Sequence, residues 1–365
     1  MNLKTNEPIN LKYMMKVISI ATWLMLLILT GCSDASPYAE EPSAQERTIT
    51  LNLDITTRAE AGEEESPDNF HLWIFNGDKL LTYINSNPSW EEVNNGKVDL
   101  KATVEAEIDA TEVNAIQFYL LLNTNVTGPW GMTPDKLKDL TFTLPEQQPY
   151  SHDNKVPMSC DTTLNIFPSQ IHYDVEMNAV RCVGKLEVYC TKNLSSTSLS
   201  LNKITLGQEP DKGYLLGTPD SNDITYNKNI NNKERTLFES QNGQEITTVL
   251  TGEDLPDNDN LESEYEKGNF TNISVSSPYL LENMNGGDVL QVEGVNETIT
   301  DEDTRYYLTL NYTLDGSRVE KKIYLTKIER NTLNKVFIRI KEKVFDIEVS
   351  YSVKPWEMVV LTPEF

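Results

Sequence analysis

The run from Arg47 to Ile55 alternates strictly. Ile49, Leu51, Leu53 and Ile55 are apolar, and Thr48, Thr50, Asn52 and Asp54 between them are polar. A period of two marks a strand with one buried face. Thr56-Thr57-Arg58 follows, and then an acidic stretch poor in apolar residues from 59 to 69. A core-quality strand near the N-terminus, with an accessible arginine behind it, has the make-up of a removable part. Its removal would leave an open groove, and an open groove is a polymerisation site.

Beyond residue 69 the chain reads as strands separated by polar turns. His71 to Phe75 turns at Asn76-Gly77-Asp78 into Lys79 to Ile84, and Ala115 to Asn123 is rich in Ile, Phe, Tyr and Leu. Thr133-Pro134-Asp135 supplies a cap, a first-turn proline and a first-turn acid, so one short helix is expected through Leu140, leading into Thr141 to Leu144. Val156-Pro157-Met158-Ser159 opens a stretch whose next strands are Ile171 to Met177 and Val180 to Cys190, and Leu199 to Leu206 alternates again. Gly, Pro, Asp and Asn dominate from Gly207 to Lys233; this composition shift marks a boundary between an N-terminal unit, 59–215, and a C-terminal unit, 216–365. Glu253 to Asn260 reads as a second acidic loop. Near the end, Tyr306, Leu308, Leu310, Tyr312 and Leu314 alternate before Asp315-Gly316, a hairpin cue leading into Val319 to Leu325. Val336, Ile338 and Ile340, and then Phe345 to Val353, alternate in turn. Pro355-Trp356 interrupts the pattern, and Met358, Val359, Val360 and Leu361 close the chain as an apolar run of the kind covered on both faces. Long helical patterns are few, so the class is all-β, built as sandwiches.

The N-terminus reads as an export address. Lys4, Lys12 and Lys16 precede the apolar run Val17 to Leu29. At about 13 residues it is too short for a bilayer span of about 20 and has signal-peptide proportions. Leu29-Thr30-Gly31-Cys32 fits the lipobox of bacterial lipoproteins. Residues 1–31 are therefore expected to be removed, with Cys32 lipidated and 32–58 a lipidated propeptide anchored by acyl chains. The formal net charge of -25 disfavours nucleic acid and anionic lipid as partners.

Cys160, Cys182 and Cys190 remain. Cys182 and Cys190 share parity with Val180, Leu186 and Val188 on one expected strand, so both should face the same core, too far apart for a mutual bridge. Buried free thiols, or a disulfide from Cys160 to one of the others, are both open. His71, His152 and His172 are dispersed, without metal spacing or triad order. Asp257-Asn258-Asp259-Asn260 with Glu262 lacks the loop glycine of an EF-hand and reads as a solvated loop. No phosphate loop or nucleophile elbow is present in the sequence, so neither catalytic residues, metal nor cofactor are expected. Trp90, Trp130 and Trp356 suit core or rim positions better than sugar stacking.

Several segments together resemble the fimbrillins, the type V pilus subunits of Bacteroidales. They are the lipobox leader, the strand ending at Thr57-Arg58, Val156-Pro157-Met158-Ser159, Val180 to Val188, Arg330-Asn331 and Val353-Lys354-Pro355-Trp356. The resemblance implies two tandem transthyretin-like β-sandwich domains. It also implies an outer-membrane lipoprotein precursor cut at the surface by an arginine-specific or trypsin-like protease. Cutting after Arg58 would release Ile49, Leu51, Leu53 and Ile55 with the lipid. A cut at the competing Arg47 would leave that strand in place. Another pilus subunit would then fill the groove with its C-terminal strand, for which Met358, Val359, Val360, Leu361 and Phe365 are the equivalents here. That segment is short, so the donor could extend upstream, or the subunit could sit at a tip. A host or bacterial surface ligand is a further partner the family implies. The alternative is a surface lipoprotein that binds glycans through aromatics on β-sandwiches.

Overall fold

The computed structural model describes residues 46–57, 67, 69–85, 91–93, 97–109, 114–145, 155–217, 230–231, 234–252, 254–273, 278–285, 287, 289–294, 304–342 and 346–355. The described residues from Arg47 onward belong to one compact body. Its strands in the first half are β1 (Glu46–Thr57), β2 (His71–Asn76), β3 (Lys79–Ile84), β4 (Glu91–Val93), β5 (Lys97–Asp109), β6 (Asn114–Leu122), β7 (Thr141–Phe142), β8 (Met158–Ile166) and β9 (His172–Arg181). There follow β10 (Val183–Lys192), β11 (Leu199–Gly207), β12 (Glu209–Pro210), β13 (Gly213–Tyr214), β14 (Ile230–Asn231) and β15 (Arg235–Glu245). The last group is β16 (Thr271–Asn272), β17 (Tyr279–Leu281), β18 (Gln291–Val292), β19 (Tyr307–Leu314), β20 (Ser317–Tyr324), β21 (Thr332–Ile340) and β22 (Ile347–Pro355). The class is all-β, as the alternation predicts.

Eight strands make the first sheet, in the order β3-β2-β6-β8-β9-β1-β5-β4. β8 and β9 share two residue pairs, Met158 with Arg181 and Ser159 with Val180. The two halves of the sheet on either side of that narrow join contribute to one core, which includes Leu53, Ile74, Ile108, Phe118, Met158 and Val175. The arrangement is a β-sandwich in which a single sheet supplies both layers. A second core, from Leu186 to Ile347, lies between the sheet β16-β10-β21-β22, with β17 beside β10, and the sheet β15-β11-β19-β20-β18. Asp315 and Gly316 both have positive φ, 48° and 83°, which the two-residue turn between β19 and β20 requires.

The expected helix is present at Pro134–Lys138, where Thr133 Oγ1 accepts from Lys136 N and Leu137 is buried. It covers the outer face of the first sheet beside Trp73, Phe75, Tyr83 and Tyr119.

Four expectations change. The acidic segment read as a loop runs into a helix, Asn258–Glu266, whose Leu261 is buried with Tyr189 and Phe337. Strands β5 and β15 were not expected. Val180 to Cys190 is not one strand: β9 ends at Arg181, and Cys182 stands between it and β10. Cys182 therefore packs with Trp73 and Leu215, while Cys190 packs in the second core. Finally, the change of core does not fall at the composition shift, because β10 and β11 already belong to the second core.

Candidate functional site

The site is the slot occupied by β1. β1 lies inside the sheet between β9 and β5, and runs parallel to β9 in a register pairing Thr50 with His172 through Thr57 with Ala179. Ile49, Leu51 and Ile55 are 0% exposed and Leu53 2% exposed, so the inward row is fully desolvated. The outward row is polar and tied to its neighbours. Asn52 Nδ2 donates to Asp174 Oδ1 at 3.0 Å and Asn52 Oδ1 accepts from Thr103 at 3.4 Å. Thr56 Oγ1 donates to Asn178 Oδ1 at 2.5 Å, and Lys101 lies 4.0 Å from the Asp54 carboxylate across an exposed face.

At the head of the strand, Arg47 reaches the turn between β8 and β9. Its guanidinium donates to the carbonyls of Phe167 at 2.5 Å, Gln170 at 2.9 Å and Pro168. The turn is braced from within: Gln170 N donates to Phe167 O at 3.1 Å, and Tyr173 Oη accepts from Phe167 N at 2.8 Å. In the sequence Arg47 stands out only as a competing cleavage residue. Its acceptors are backbone carbonyls, which carry no signature in a sequence.

Cys32, Arg58, Met358, Val359, Val360, Leu361 and Phe365 lie outside the described residues. Strand β22, which runs up to them, pairs on one side with β21 and forms the end of its sheet.

Chemical groups elsewhere are held in packing roles. Cys160, Cys182 and Cys190 are free. Burial pushes the Cys160 thiol up to about 11 and the Cys190 thiol up to about 12, and burial likewise raises Cys182. Such thiols are poor nucleophiles. His71 hydrogen-bonds the Tyr83 hydroxyl at 2.7 Å within a stack that includes Trp73, and burial lowers its pKa. His172 lies exposed on β9. Among the described residues no group of three or more His, Cys, Asp or Glu is placed to hold a metal ion. An open recess of about 470 Å³ is lined by Tyr119, Asp135, Lys138, Asp139, Asp161, Leu216 and Gly217. Trp130 is 70% exposed and meets the edge of Tyr83.

Where the two cores meet, Arg330 donates to both Glu282 carboxylate oxygens, at 3.3 and 3.2 Å, and to the carbonyls of Leu215 and Tyr214, each at 3.0 Å. It also donates to Ser159 Oγ at 3.2 Å. Arg181 beside it donates to Asn331 Oδ1 at 3.1 Å. The Arg330-Asn331 pair noted in the sequence is thus a junction between the cores.

No protein-family model matches the sequence, and no curated protein matches it. The chain is similar to several solved structures. The tip fimbrial protein Mfa3 of Porphyromonas gingivalis, with a C-terminal truncation, is 16% identical over 85% of this chain and 100% of that one, with a TM-score of 0.49. A Parabacteroides distasonis protein provisionally assigned to cell adhesion is 12% identical over 85% and 98%, with a TM-score of 0.48. A fimbrial assembly protein of the same organism is 11% identical over 85% and 100%, with a TM-score of 0.43.

Proposed function

We propose that the chain is a structural subunit of a bacterial surface fimbria, exported as a lipoprotein and polymerised by strand exchange after cleavage behind Arg58. The observation that carries this reading is the desolvation of Ile49, Leu51, Leu53 and Ile55 in a strand inside the sheet, at the very start of the compact body. Burying four such side chains is worth about 1.5–3 kcal/mol each, roughly 6–12 kcal/mol together. That is comparable to the whole stability of a typical domain, about 5–15 kcal/mol. A body deprived of β1 has unpaired ladder groups on β9 and β5 as well, and strand addition from a neighbour satisfies both deficits. Until cleavage the resident strand keeps the subunit monomeric. The lipobox leader supports export to the outer membrane, and the arginine supports a trypsin-like surface protease as processing partner. The two cores support tandem sandwich domains.

Limited trypsin treatment of the purified, unlipidated precursor tests this, followed by N-terminal sequencing and electron microscopy. Cleavage after Arg58 with oligomers or fibres is the expected result. A nicked, strand-free monomer as stable as the precursor overturns it.

A second reading, a glycan-binding surface lipoprotein, is favoured by one observation: the Trp130 ring, mostly exposed on the short turn Pro129–Gly131. Retention of the monomer on a defined polysaccharide, lost in Trp130→Ala and unchanged by trypsin, would select it.

A further inference from the structure

We propose that the β8–β9 turn, Phe167 to Gln170, is a guanidinium-reading cradle that fixes the register of whichever strand fills the β1 slot. The need for such a device follows from the strand's own pattern. An apolar row of period two rejects a slip of one residue, because that turns the row to solvent. A slip of two residues preserves the alternation, so Ile49, Leu51, Leu53 and Ile55 alone tolerate it.

Arg47 breaks this degeneracy at the head of the strand, as the outward bonds of Asn52 to Asp174 and Thr56 to Asn178 do further along it. Arg47 has the parity of the buried row and stands one step ahead of Ile49. Its two terminal nitrogens serve the carbonyls of Phe167, Pro168 and Gln170. A strand displaced by two residues in one direction brings Ile49 to these carbonyls; displaced in the other, it brings Gln45. Neither supplies a cation to a converging set of acceptors. A planar fork also matches spaced carbonyls better than the point charge of lysine.

The cradle holds its shape without Arg47. Besides the Gln170 N bond to Phe167 O, the Tyr173 hydroxyl lies 3.1 Å from both Phe167 O and Gln170 O, and Gln170 Nε2 donates to His172 O at 2.8 Å. None of these contacts uses β1. The preformed acceptors therefore remain for the next strand, so an incoming strand that carries an arginine two residues ahead of its first buried aliphatic is held in the same register. That last step rests on the strand-exchange reading; the seat of Arg47 does not.

The test has two arms. In the full-length unlipidated precursor, Arg47→Ala should speed amide hydrogen exchange at Thr48 to Leu51 by about tenfold, the effect of losing charge-assisted hydrogen bonds. Millimolar ethylguanidinium should restore the protection, and ethylammonium at equal concentration should not. Should Arg47→Ala not fold, Arg47→Lys is read in the same way, with a smaller acceleration. Unchanged exchange, or equal rescue by both cations, overturns the cradle. In the second arm, the precursor cut after Arg58 is offered synthetic peptides of sequence 47–57. The native peptide should compete about tenfold or more better than its Arg47→Gln version. Equal competition also overturns the cradle. If the first arm succeeds and neither peptide enters, the cradle stands for the resident strand and strand exchange falls.

Discussion

Replacing Leu51 by alanine in the intact precursor probes the physical basis of the proposed mechanism. Leu51 has no exposed surface and pairs in register with Tyr173, in the middle of a row whose other members are equally buried. Leucine-to-alanine changes at such sites cost about 2–5 kcal/mol, the transfer term plus the cavity that a rigid surround does not refill. β1 is held between β9 and β5, so little collapse is available and the upper part of that range is expected. Asn52→Ala, one residue on, removes an exposed amide bonded to Asp174 and Thr103 and should cost about 0.5 kcal/mol or less. Urea denaturation of both variants gives the comparison, with the midpoint read at constant slope. Leu51→Ala should also release β1 more readily once Arg58 is cut, because the deficit lies in the strand that leaves. A Leu51→Ala midpoint within error of Asn52→Ala would mean that the row contributes no packing energy. The drive for exchange would then be absent.

Two further outcomes follow from groups outside the slot. Burial lowers the pKa of His71 from its ordinary 6.5, only partly offset by the backbone bond to Thr124. Between pH 6.5 and the lower folded value the unfolded chain takes up a proton that the folded chain refuses, so stability falls as pH falls through that window. The slope is at most about 1.4 kcal/mol per pH unit, and less here because the ring is only part-buried. His71→Asn should flatten this component of the urea midpoint between pH 7 and 5.5, and identical pH profiles would refute it. Arg330→Ala leaves the Glu282 carboxylate buried without its fork and should cost about 3–5 kcal/mol in the same assay. A loss below about 0.5 kcal/mol would show that the junction is ornamental to stability.

What could be read from the sequence depended on how each element is buried. β1, β19 and β20 bury one face and β22 half-buries one through Val349 and Tyr351, and their alternation or turn residues announce them. β5 alternates too, at Val98, Leu100, Ala102, Val104, Ala106 and Ile108, but its small alanines and intervening charges mask the row. β15 has a largely half-exposed, polar sequence, Arg235–Glu245, and is defined by pairing with β11 rather than by a hydrophobic face. Helix Asn258–Glu266 shows no apolar stripe. Leu261 anchors it, and Glu262 bonds Lys335 at 2.9 Å, a contact with β21 that is invisible along the chain. The shared parity of Cys182 and Cys190 failed because one residue between two strands restarts the count. The Arg47 cradle was beyond reach for a different reason, since main-chain oxygens look alike at every position.

The passage from β9 to β10 through Cys182 alone has a mechanical meaning. There is no slack in that connection: Cys182 N donates to Pro157 O at 2.8 Å, and Asn331 N donates to Val183 O at 2.8 Å on the following residue. Tension pulled through a filament of such subunits would meet a riveted joint in place of a tether. Separating the two cores would require shearing those bonds and the Arg330 fork at once, so in the proposed filament this joint should resist stretching.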